Sequence, residues 1–356
     1  MKILICTGIY PPDIGGPAEY AKNILEELVL RGNTVKVISY DKEKKMPIGI
    51  RHIFYFFRIL PNMISADFVI ALDTFSVGLP AVFAAKLINR KIAVRVAGDF
   101  LWESYIGKGG DMMTLKDFYD KKPELPFKQK LIFSLSKYVF NNCSALVFST
   151  DWQKKMISEN YDLKNKNSFV IENFYGEKIN PRTYKVGEGG KPPHLYIGEG
   201  VKSFEPKEKN YVFAGRLIKL KNLERLKTAF MEAQKINPEI KIEIISKISH
   251  EELMKKIQSC YAVILPSLSD ISPNFILDAI KADKPFVLTK ETGFYDKLKD
   301  IGVFIDPLNS EDIKNKILFL ANDKNYWEYK KRVENFNFIH LWREIVDEFL
   351  GIYNKL

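Results

Sequence analysis

The sequence has few of the residues that build metal centres and disulfide frameworks. Its 356 residues include three cysteines and four histidines. Cys6, Cys143 and Cys260 are odd in number, lie far apart and show no metal-ligand spacing. Such cysteines are typical of reduced core thiols, so we predict a cytoplasmic protein without a metal site or a bound cofactor.

Long hydrophobic runs are missing as well. No uninterrupted apolar stretch reaches about 18 residues, so we expect no membrane span. Met1-Lys2 leads directly into a strand pattern, and we expect no signal peptide. The content of 46% hydrophobic and 28% charged residues is typical of a globular protein with room for two domains.

The sequence has fewer acidic residues than basic ones, 44 against 54. The formal net charge is +10, which allows nucleic acid, anionic lipid or a phosphorylated small molecule as a partner. No stretch combines aromatic and basic residues in a nucleic-acid-binding pattern, so we expect no nucleic-acid partner.

The N-terminal part alternates strand and helix patterns. A buried-strand run at 2–7 is followed by a glycine-containing loop, an amphipathic helix and a second strand at 34–39. This order predicts a parallel βαβ unit. Gly15 and Gly16 let the backbone approach an anion closely at the helix start, although glycine can also serve turn geometry alone.

A polar segment follows the strand pattern at 92–96. Asp99 lies just beyond the carboxyl end of that strand, where ligands sit in doubly wound sheets. Asp99 is either a polar contact at a reaction centre or the N-cap of a helix. Residues 104–128 are polar and contain glycine, which predicts a mobile loop over a substrate site.

The stretch at 52–60, HIFYFFRIL, is both aromatic and basic. It is either a helix on an anionic membrane surface or a core helix with Arg58 at its rim. With the positive net charge, the first alternative predicts a peripheral membrane contact at the inner face.

The second half of the chain has two turns with charged residues. After a connection at 176–209 and a strand at 211–214, Arg216 and Lys221 lie at a strand-to-helix turn. A guanidinium and an ammonium at a helix start form a pyrophosphate clamp, although lysine-rich surfaces also hold such cations.

The other turn lies within residues 261–283. A buried strand runs into Pro266-Ser267, a polar loop, and Pro273 at a predicted first helical position. Asp270 in the loop and Asp278 on the helix accept hydrogen bonds, which suits the hydroxyl groups of a sugar. An ordinary strand–loop–helix is the structural alternative.

These stretches together resemble retaining glycosyltransferase family 4. The resemblance is carried by Gly-Arg-Leu at 215–217 with Lys221-Asn222, and by Pro266-Ser267 with Pro273-Asn274 and two carboxylates eight residues apart. The Gly-Gly loop and Gly-Asp-x-x-Trp-Glu at 98–103 extend it. The chain departs from the family by carrying Asp for Glu, Ile271-Ser272 for Gly-Phe, and one strand–helix unit fewer.

The resemblance implies the GT-B fold, with two Rossmann-like α/β domains facing across a cleft and a C-terminal domain smaller than usual. The domains would be 1–190 on the acceptor side and 205–330 for the nucleotide sugar, with a helix at 331–356 crossing back. The implied reaction transfers a sugar from a nucleotide diphosphate sugar to a saccharide or polyprenyl-linked acceptor, with retention. No Asp-x-Asp occurs, so cations and helix N-termini would neutralise the leaving group without metal.

The implied site residues follow the motifs. The predicted catalytic residues are Asp99, Arg216, Lys221 and Asp270, and the predicted donor-binding residues are Gly15, Gly16, Arg216, Lys221, Asp270, Ser272, Asn274 and Asp278. Two alternatives remain open. The changed carboxylates and the missing unit also fit a non-catalytic GT-B partner subunit, and the same fold serves isomerases.

Overall fold

The chain forms two compact units. The computed structural model describes residues 1–13, 15–47, 49–178 and 208–356. The first unit comprises Met1–Phe174 and His340–Leu356, and the second comprises Tyr175–Ile339. The domain boundary predicted at residue 190 and most of the connection predicted at 176–209 lie outside the described residues.

Strands and helices alternate along both units. The strands are β1 (Lys2–Thr7), β2 (Thr34–Ser39), β3 (Phe68–Ala71), β4 (Lys91–Val96), β5 (Ala145–Phe148), β6 (Ser168–Val170), β7 (Lys209–Ala214), β8 (Ile240–Ile245), β9 (Ala262–Leu265), β10 (Phe286–Thr289) and β11 (Val303–Ile305). The helices are α1 (Gly16–Leu30), α2 (Ile50–Ile64), α3 (Gly78–Leu87), α4 (Phe100–Gly107), α5 (Leu115–Lys121), α6 (Phe127–Asn142), α7 (Asp151–Tyr161), α8 (Leu223–Ile236), α9 (His250–Ser259), α10 (Asn274–Lys281), α11 (Tyr295–Leu298), α12 (Ser310–Ala321), α13 (Asp323–Asn335) and α14 (Trp342–Lys355).

The first unit is built on a parallel sheet. In its described residues the strand order is β2-β1-β3-β4-β5-β6, and neighbouring strands all run parallel. The short strands β3 and β5 are buried at every position, because helices cover both faces of such a sheet. All carboxyl ends of the strands share one edge, where the loops to the following helices lie.

The C-terminal helix α14 completes the first unit. Trp342 packs edge-on against Tyr20 of α1, with ring centroids 5.3 Å apart, and Asp347 forms an ion pair with Arg31 at the end of α1. The apolar face of α14 enters the core of this unit through Ile345, Val346, Phe349 and Ile352. The last residues of the chain therefore belong to the first unit.

The prediction of a mobile loop at 104–128 is wrong. This segment contains the end of α4, all of α5 and the start of α6. Thr114 caps α5 by accepting a hydrogen bond from Asp117 N at 3.0 Å, and Trp102 Nε1 donates to Met113 O at 3.1 Å. Burial of the aromatic side chain of Phe118 holds the segment against the unit, although its polar composition indicated a loop.

The second unit has a smaller parallel sheet. Across residues 208–339 the strand order is β11-β10-β9-β7-β8, again with parallel neighbours. A single helix, α9, connects β8 to β9, as the sequence predicts. Because β7 and β9 are direct neighbours, the turns that follow them lie side by side at the carboxyl edge.

All three cysteines are free and buried. Burial raises the pKa of Cys6, Cys143 and Cys260, each to about 12. Within the described ranges, no helix combines the length and the apolar character needed to span a bilayer.

Candidate functional site

A tight turn connects β7 to α8. Residues Lys219–Lys221 form one turn of 3-10 helix, and Asn222 follows with a left-handed backbone, φ 57°. The Asn222 amide is buried, and its Nδ2 donates to Pro266 O at 3.1 Å and to Pro307 O at 2.7 Å. Asparagine tolerates this backbone conformation, and its side chain ties the turn to the loop after β9.

The loop between β9 and α10 is fixed by backbone hydrogen bonds. Leu268 N donates to Leu220 O at 2.9 Å, which joins this loop to the turn before α8. Asp270 N donates to Glu291 O at 2.9 Å, which fixes its position relative to the loop after β10. These hydrogen bonds therefore hold the turn before α8 and the loop before α10 next to each other. Both contain predicted site residues.

The structure brings Lys221 and Asp270 into direct contact. Lys221 Nζ lies 2.8 Å from Asp270 Oδ2, and the side chains are 25% and 11% exposed. Ser267 Oγ lies 3.5 Å from the same oxygen. Two predicted catalytic residues thus form a partly buried ion pair at the carboxyl edge of the sheet.

Arg216 stands apart from this pair. It is exposed, two residues beyond the end of β7, and it forms no ion pair with any residue that the structure describes. The predicted clamp therefore consists of one cation that is already neutralised, Lys221, and one that remains open to an anion, Arg216.

Asp278 lies in a separate cluster on α10. Its Oδ1 is 3.7 Å from Lys281 Nζ and 3.7 Å from His250 Nε2. Burial raises the pKa of the Asp278 carboxyl, and the charges of Lys281 and His250 oppose that rise. Burial likewise lowers the pKa of Lys281, against the effect of Asp278.

Sequence reasoning missed both neighbours of Asp278. Lys281 follows it by three residues on one helix face, a spacing that could have identified it. His250 begins α9 and meets Asp278 only through the packing of α9 on α10, so no local pattern indicates it.

Ser272 and Asn274 occupy the start of α10. Asn274 N donates to Ser272 O at 3.0 Å, and Asn274 is the exposed first residue of the helix. Pro273, predicted at the first helical position, is the N-cap instead, and the helix begins one residue later at Asn274. Both polar residues lie between Asp270 and Asp278, at the helix end whose backbone N–H groups are free of helical partners.

The predicted glycines of the first unit lie at the start of α1. Gly15 has φ 154°, which favours glycine, and a Cβ there would lie 3.2 Å from Ile9 Cδ1. Gly16 is exposed and is the first helical residue. Gly15 therefore precedes the helix with a backbone conformation that favours glycine, and anion binding at this helix start stays a prediction.

Asp99 is the N-cap of α4. Its Oδ1 accepts from Trp102 N at 2.9 Å, and its Oδ2 accepts from the buried hydroxyl of Tyr119. Burial raises the pKa of Asp99, against the effect of the hydrogen bonds from Trp102 N and Tyr119. The bond from Trp102 N shows the capping alternative, and contact of Asp99 with a substrate stays a prediction.

Helix α2 has the buried face that the core-helix alternative for residues 52–60 predicts, and contact with a membrane stays a prediction. Its inner face buries Tyr55, Ile59 and Met63, and Arg58 at the rim bonds to Glu43. Its outer face leaves large apolar side chains exposed, namely Ile50, Ile53, Phe54, Phe57 and Ile64. We call these five side chains the α2 outer face.

Within the described residues, no group of three or more histidine, cysteine, aspartate or glutamate side chains is placed to hold a metal ion.

The sequence of the chain is similar to glycosyltransferase sequences. Residues 208–336 match the family model described as glycosyl transferases group 1, and this segment contains every predicted site residue of the second unit. Over its full length the chain is 25% identical to an uncharacterised glycosyltransferase of Methanocaldococcus jannaschii, covering 99% of that protein.

Solved structures resemble the chain in fold. Sucrose-phosphate synthase from Thermosynechococcus elongatus matches with a TM-score of 0.66 at 13% identity, over 99% of this chain and 98% of that one. The Anabaena protein HepE, solved with UDP and glucose, matches with a TM-score of 0.63 at 12% identity, over 100% and 98%. The matched domain, the full-length relative and the two Rossmann-like units together support a GT-B glycosyltransferase.

Proposed function

We propose that the chain transfers a sugar from a nucleotide diphosphate sugar to a saccharide or lipid-linked saccharide acceptor, with retention of configuration and without a metal ion. The observation that carries this proposal is the contact between Lys221 and Asp270, at 2.8 Å, where the turns after β7 and β9 meet. A cation for phosphate and an acceptor of hydroxyl hydrogen bonds stand together in the segment that matches the glycosyl transferase model.

The proposed division of the donor follows the positions of the charged groups. Arg216 and Lys221 bind the diphosphate and neutralise the charge that develops when its bond to the sugar breaks. Asp270 accepts hydrogen bonds from the sugar, and Asp278 accepts them from the ribose diol. The acceptor oxygen bonds to the anomeric carbon on the face that the diphosphate leaves, and its proton passes to the departing phosphate oxygen. No protein nucleophile is needed.

Binding is the first test of the proposal. A thermal-shift panel of nucleoside diphosphates and their sugars should show a ligand that raises the melting temperature, because binding to the native state stabilises it. The same panel in EDTA should give the same shifts if no metal is required. A panel without any shift would remove the donor assignment.

Product analysis is the second test. With the donor identified, NMR of the product formed on a saccharide acceptor should show the anomeric configuration of the donor. Inversion would contradict the proposal, and conversion of the donor to an epimer without acceptor would favour a GT-B isomerase. Donor binding without transfer or hydrolysis by the isolated chain would favour the non-catalytic partner subunit.

The acceptor side of the proposal rests on the first unit. The exposed α2 outer face and the net charge of +10 favour peripheral contact with an anionic membrane, where a lipid-linked acceptor would be presented.

A further inference from the structure

The loop from β8 to α9 contains a lysine in an unfavourable backbone conformation. Lys247 is exposed and has φ 58°, in the left-handed region that lysine rarely adopts. The other non-glycine residues with positive φ in the described part of the chain all lie at the C-terminal end of a helix, where this conformation is common. They are Asn89, Lys122, Asp162, Asn222 and Asp283. Lys247 instead follows a strand, so no helix end explains its conformation.

Both ends of this loop are fixed. Gly215 N, directly after β7, donates to Ile245 O at 3.1 Å, which holds the last residue of β8 beside the turn after β7. At the other end, Ser249 caps α9 and exchanges hydrogen bonds with Glu252 in a capping box. These contacts fix the chain on both sides of Lys247. Strained backbone positions that the surroundings fix in this way cluster at ligand sites.

The register of the sheet places Lys247 beside Arg216. Ala214 and Ile245 are partners in the parallel pairing of β7 and β8, so Arg216 and Lys247 each lie two residues beyond this pair. Neighbouring strands are about 4.8 Å apart, and an extended lysine side chain reaches about 6 Å. The two exposed cations can therefore contact one diphosphate at the carboxyl edge of the sheet.

The residues after Lys247 lead to the other end of the candidate site. His250, three residues further along, has its Nε2 3.7 Å from Asp278 Oδ1. Three residues span at most about 10 Å. Lys247 therefore lies close both to the turn that carries Arg216 and to the carboxylate that we assign to the ribose.

The charge of Lys247 is open to a ligand. Lys247 forms no ion pair with any residue that the structure describes, and its side chain is at the surface. The acidic residues closest to it in the sequence are paired with other lysines, since Glu243 lies 2.7 Å from Lys256 and Glu251 lies 2.7 Å from Lys255. An ammonium group supplies donors only, and phosphate oxygens are charged acceptors that match them.

We propose that Lys247 binds the diphosphate of the donor together with Arg216. This inference rests on the function proposed above and deepens it, because it adds to the clamp a cation that no sequence motif indicated. Lys221 is already paired with Asp270, so Arg216 and Lys247 supply one unpaired positive charge for each phosphate. The left-handed conformation of Lys247 is then a cost in stability that the binding site requires.

The test compares two lysines that share a backbone conformation. Lys122, the exposed C-cap of α5 in the first unit, has φ 46°. The variants are Lys247→Gly, Lys247→Asn and Lys247→Arg, with Lys122→Gly and Lys122→Asn as matched controls. Glycine and asparagine tolerate the left-handed region but lack the charge, whereas arginine keeps the charge. Each full-length variant is titrated by calorimetry with UDP, GDP, ADP, CDP and dTDP, and its melting temperature is measured without nucleotide.

We expect Lys247→Gly and Lys247→Asn to bind the tightest of these nucleotides about tenfold more weakly than the wild type, and Lys247→Arg to retain most of the affinity. Because glycine removes the strain, Lys247→Gly should unfold at the same temperature as the wild type or at a higher one. Both Lys122 variants should bind the nucleotide as the wild type does. Added NaCl should weaken binding less in Lys247→Asn than in the wild type, because one charge contact is absent.

The role of Lys247 is overturned if the wild type binds a nucleotide and Lys247→Asn binds it equally well. It is also overturned if Lys122→Asn loses as much affinity, or if the weakened Lys247 variants unfold at a lower temperature, because loss of the loop structure then explains the weaker binding. In each of these cases, weaker binding by Lys221→Ala would leave the proposed function standing. A wild type that binds none of these nucleotides would overturn the proposed function and this inference together.

Discussion

Lys221 and Asp270, 49 residues apart in the chain, form an ion pair with Nζ and Oδ2 2.8 Å apart. The cation expected to bind a diphosphate is thus held by the carboxylate expected to bind a sugar. A donor must share or replace this pair, so the two residues should respond differently to substitution.

Lys221→Ala should weaken the binding of nucleoside diphosphate about 10- to 150-fold, the loss of one charge-assisted contact of about 1.5–3 kcal/mol. Lys219→Ala is the matched control, because Lys219 is exposed on the same turn and has no ion pair within the described residues. Calorimetry with both variants measures the difference. Equal affinities in Lys221→Ala, Lys219→Ala and the wild type would remove Lys221 from the site.

Asp270→Ala should leave the binding of bare nucleoside diphosphate intact or slightly stronger, because Lys221 loses its internal partner. The same variant should lose most discrimination between the nucleotide sugar and the nucleotide, and with it transfer. Titration with both ligands measures the ratio of the two affinities. An unchanged ratio would show that Asp270 does not bind the sugar.

Asp278→Ala should weaken the binding of the bare nucleoside diphosphate and of the nucleotide sugar by the same factor, because both ligands contain the ribose. Its neighbours give a control, since Lys281→Gln and His250→Gln change the surroundings of the carboxylate while leaving it in place. A loss confined to the sugar conjugate would contradict the assignment of Asp278 to the ribose.

Asp99→Ala should destabilise the protein by about 1–2 kcal/mol, the effect of losing an N-cap. Asp99→Asn should retain most of that stability, because asparagine also caps helices, and neither variant should change nucleotide binding. Urea unfolding followed by circular dichroism measures the free energy of unfolding. If Asp99→Asn is fully stable and binds donor but does not transfer the sugar, the predicted role at the reaction centre gains support over the cap alone.

His340 should make stability depend on pH. Burial opposes its charge, but the hydrogen bond and charge of Glu348 raise the net pKa of His340 above its usual value of 6.5. A raised histidine pKa contributes stability that is fully present below the unfolded value and lost as pH rises through the folded value. His340→Gln should therefore lower the free energy of unfolding more at about pH 5.5 than at about pH 8.5. The loss at the lower pH should be at most about 1 kcal/mol, because Glu348 is half exposed.

The α2 outer face should bind anionic vesicles weakly, and salt should reduce that binding. Phe54→Ser and Phe57→Ser together should abolish it, whereas Leu30→Ser, which removes an exposed apolar side chain of α1, should not. Flotation with vesicles containing phosphatidylserine measures the bound fraction. Protein that stays at the bottom at low salt would contradict the membrane prediction.

The sequence predicts the strands and turns better than the contacts between them. Continuous apolar runs such as 262–265 identify buried strands, and spacing identified Lys221 and Asp270 separately. Their pairing depends on β7 and β9 being neighbours, which no local pattern contains. The helices within residues 104–128 were not predicted, because Gly109, Gly110 and several lysines are typical of a loop. The Thr114 cap and the buried aromatic rings give a weaker sequence signal.

The three buried cysteines make the chain a convenient background for chemical labelling. Burial keeps all three thiols away from reagents, and it raises their pKa values, which favours the unreactive protonated form. A single cysteine introduced at an exposed position such as Lys219 or Lys36 would react with maleimide dyes far ahead of the native ones. A dye at either position could then report ligand binding to its own unit in solution, without removal of any native residue from the core of that unit.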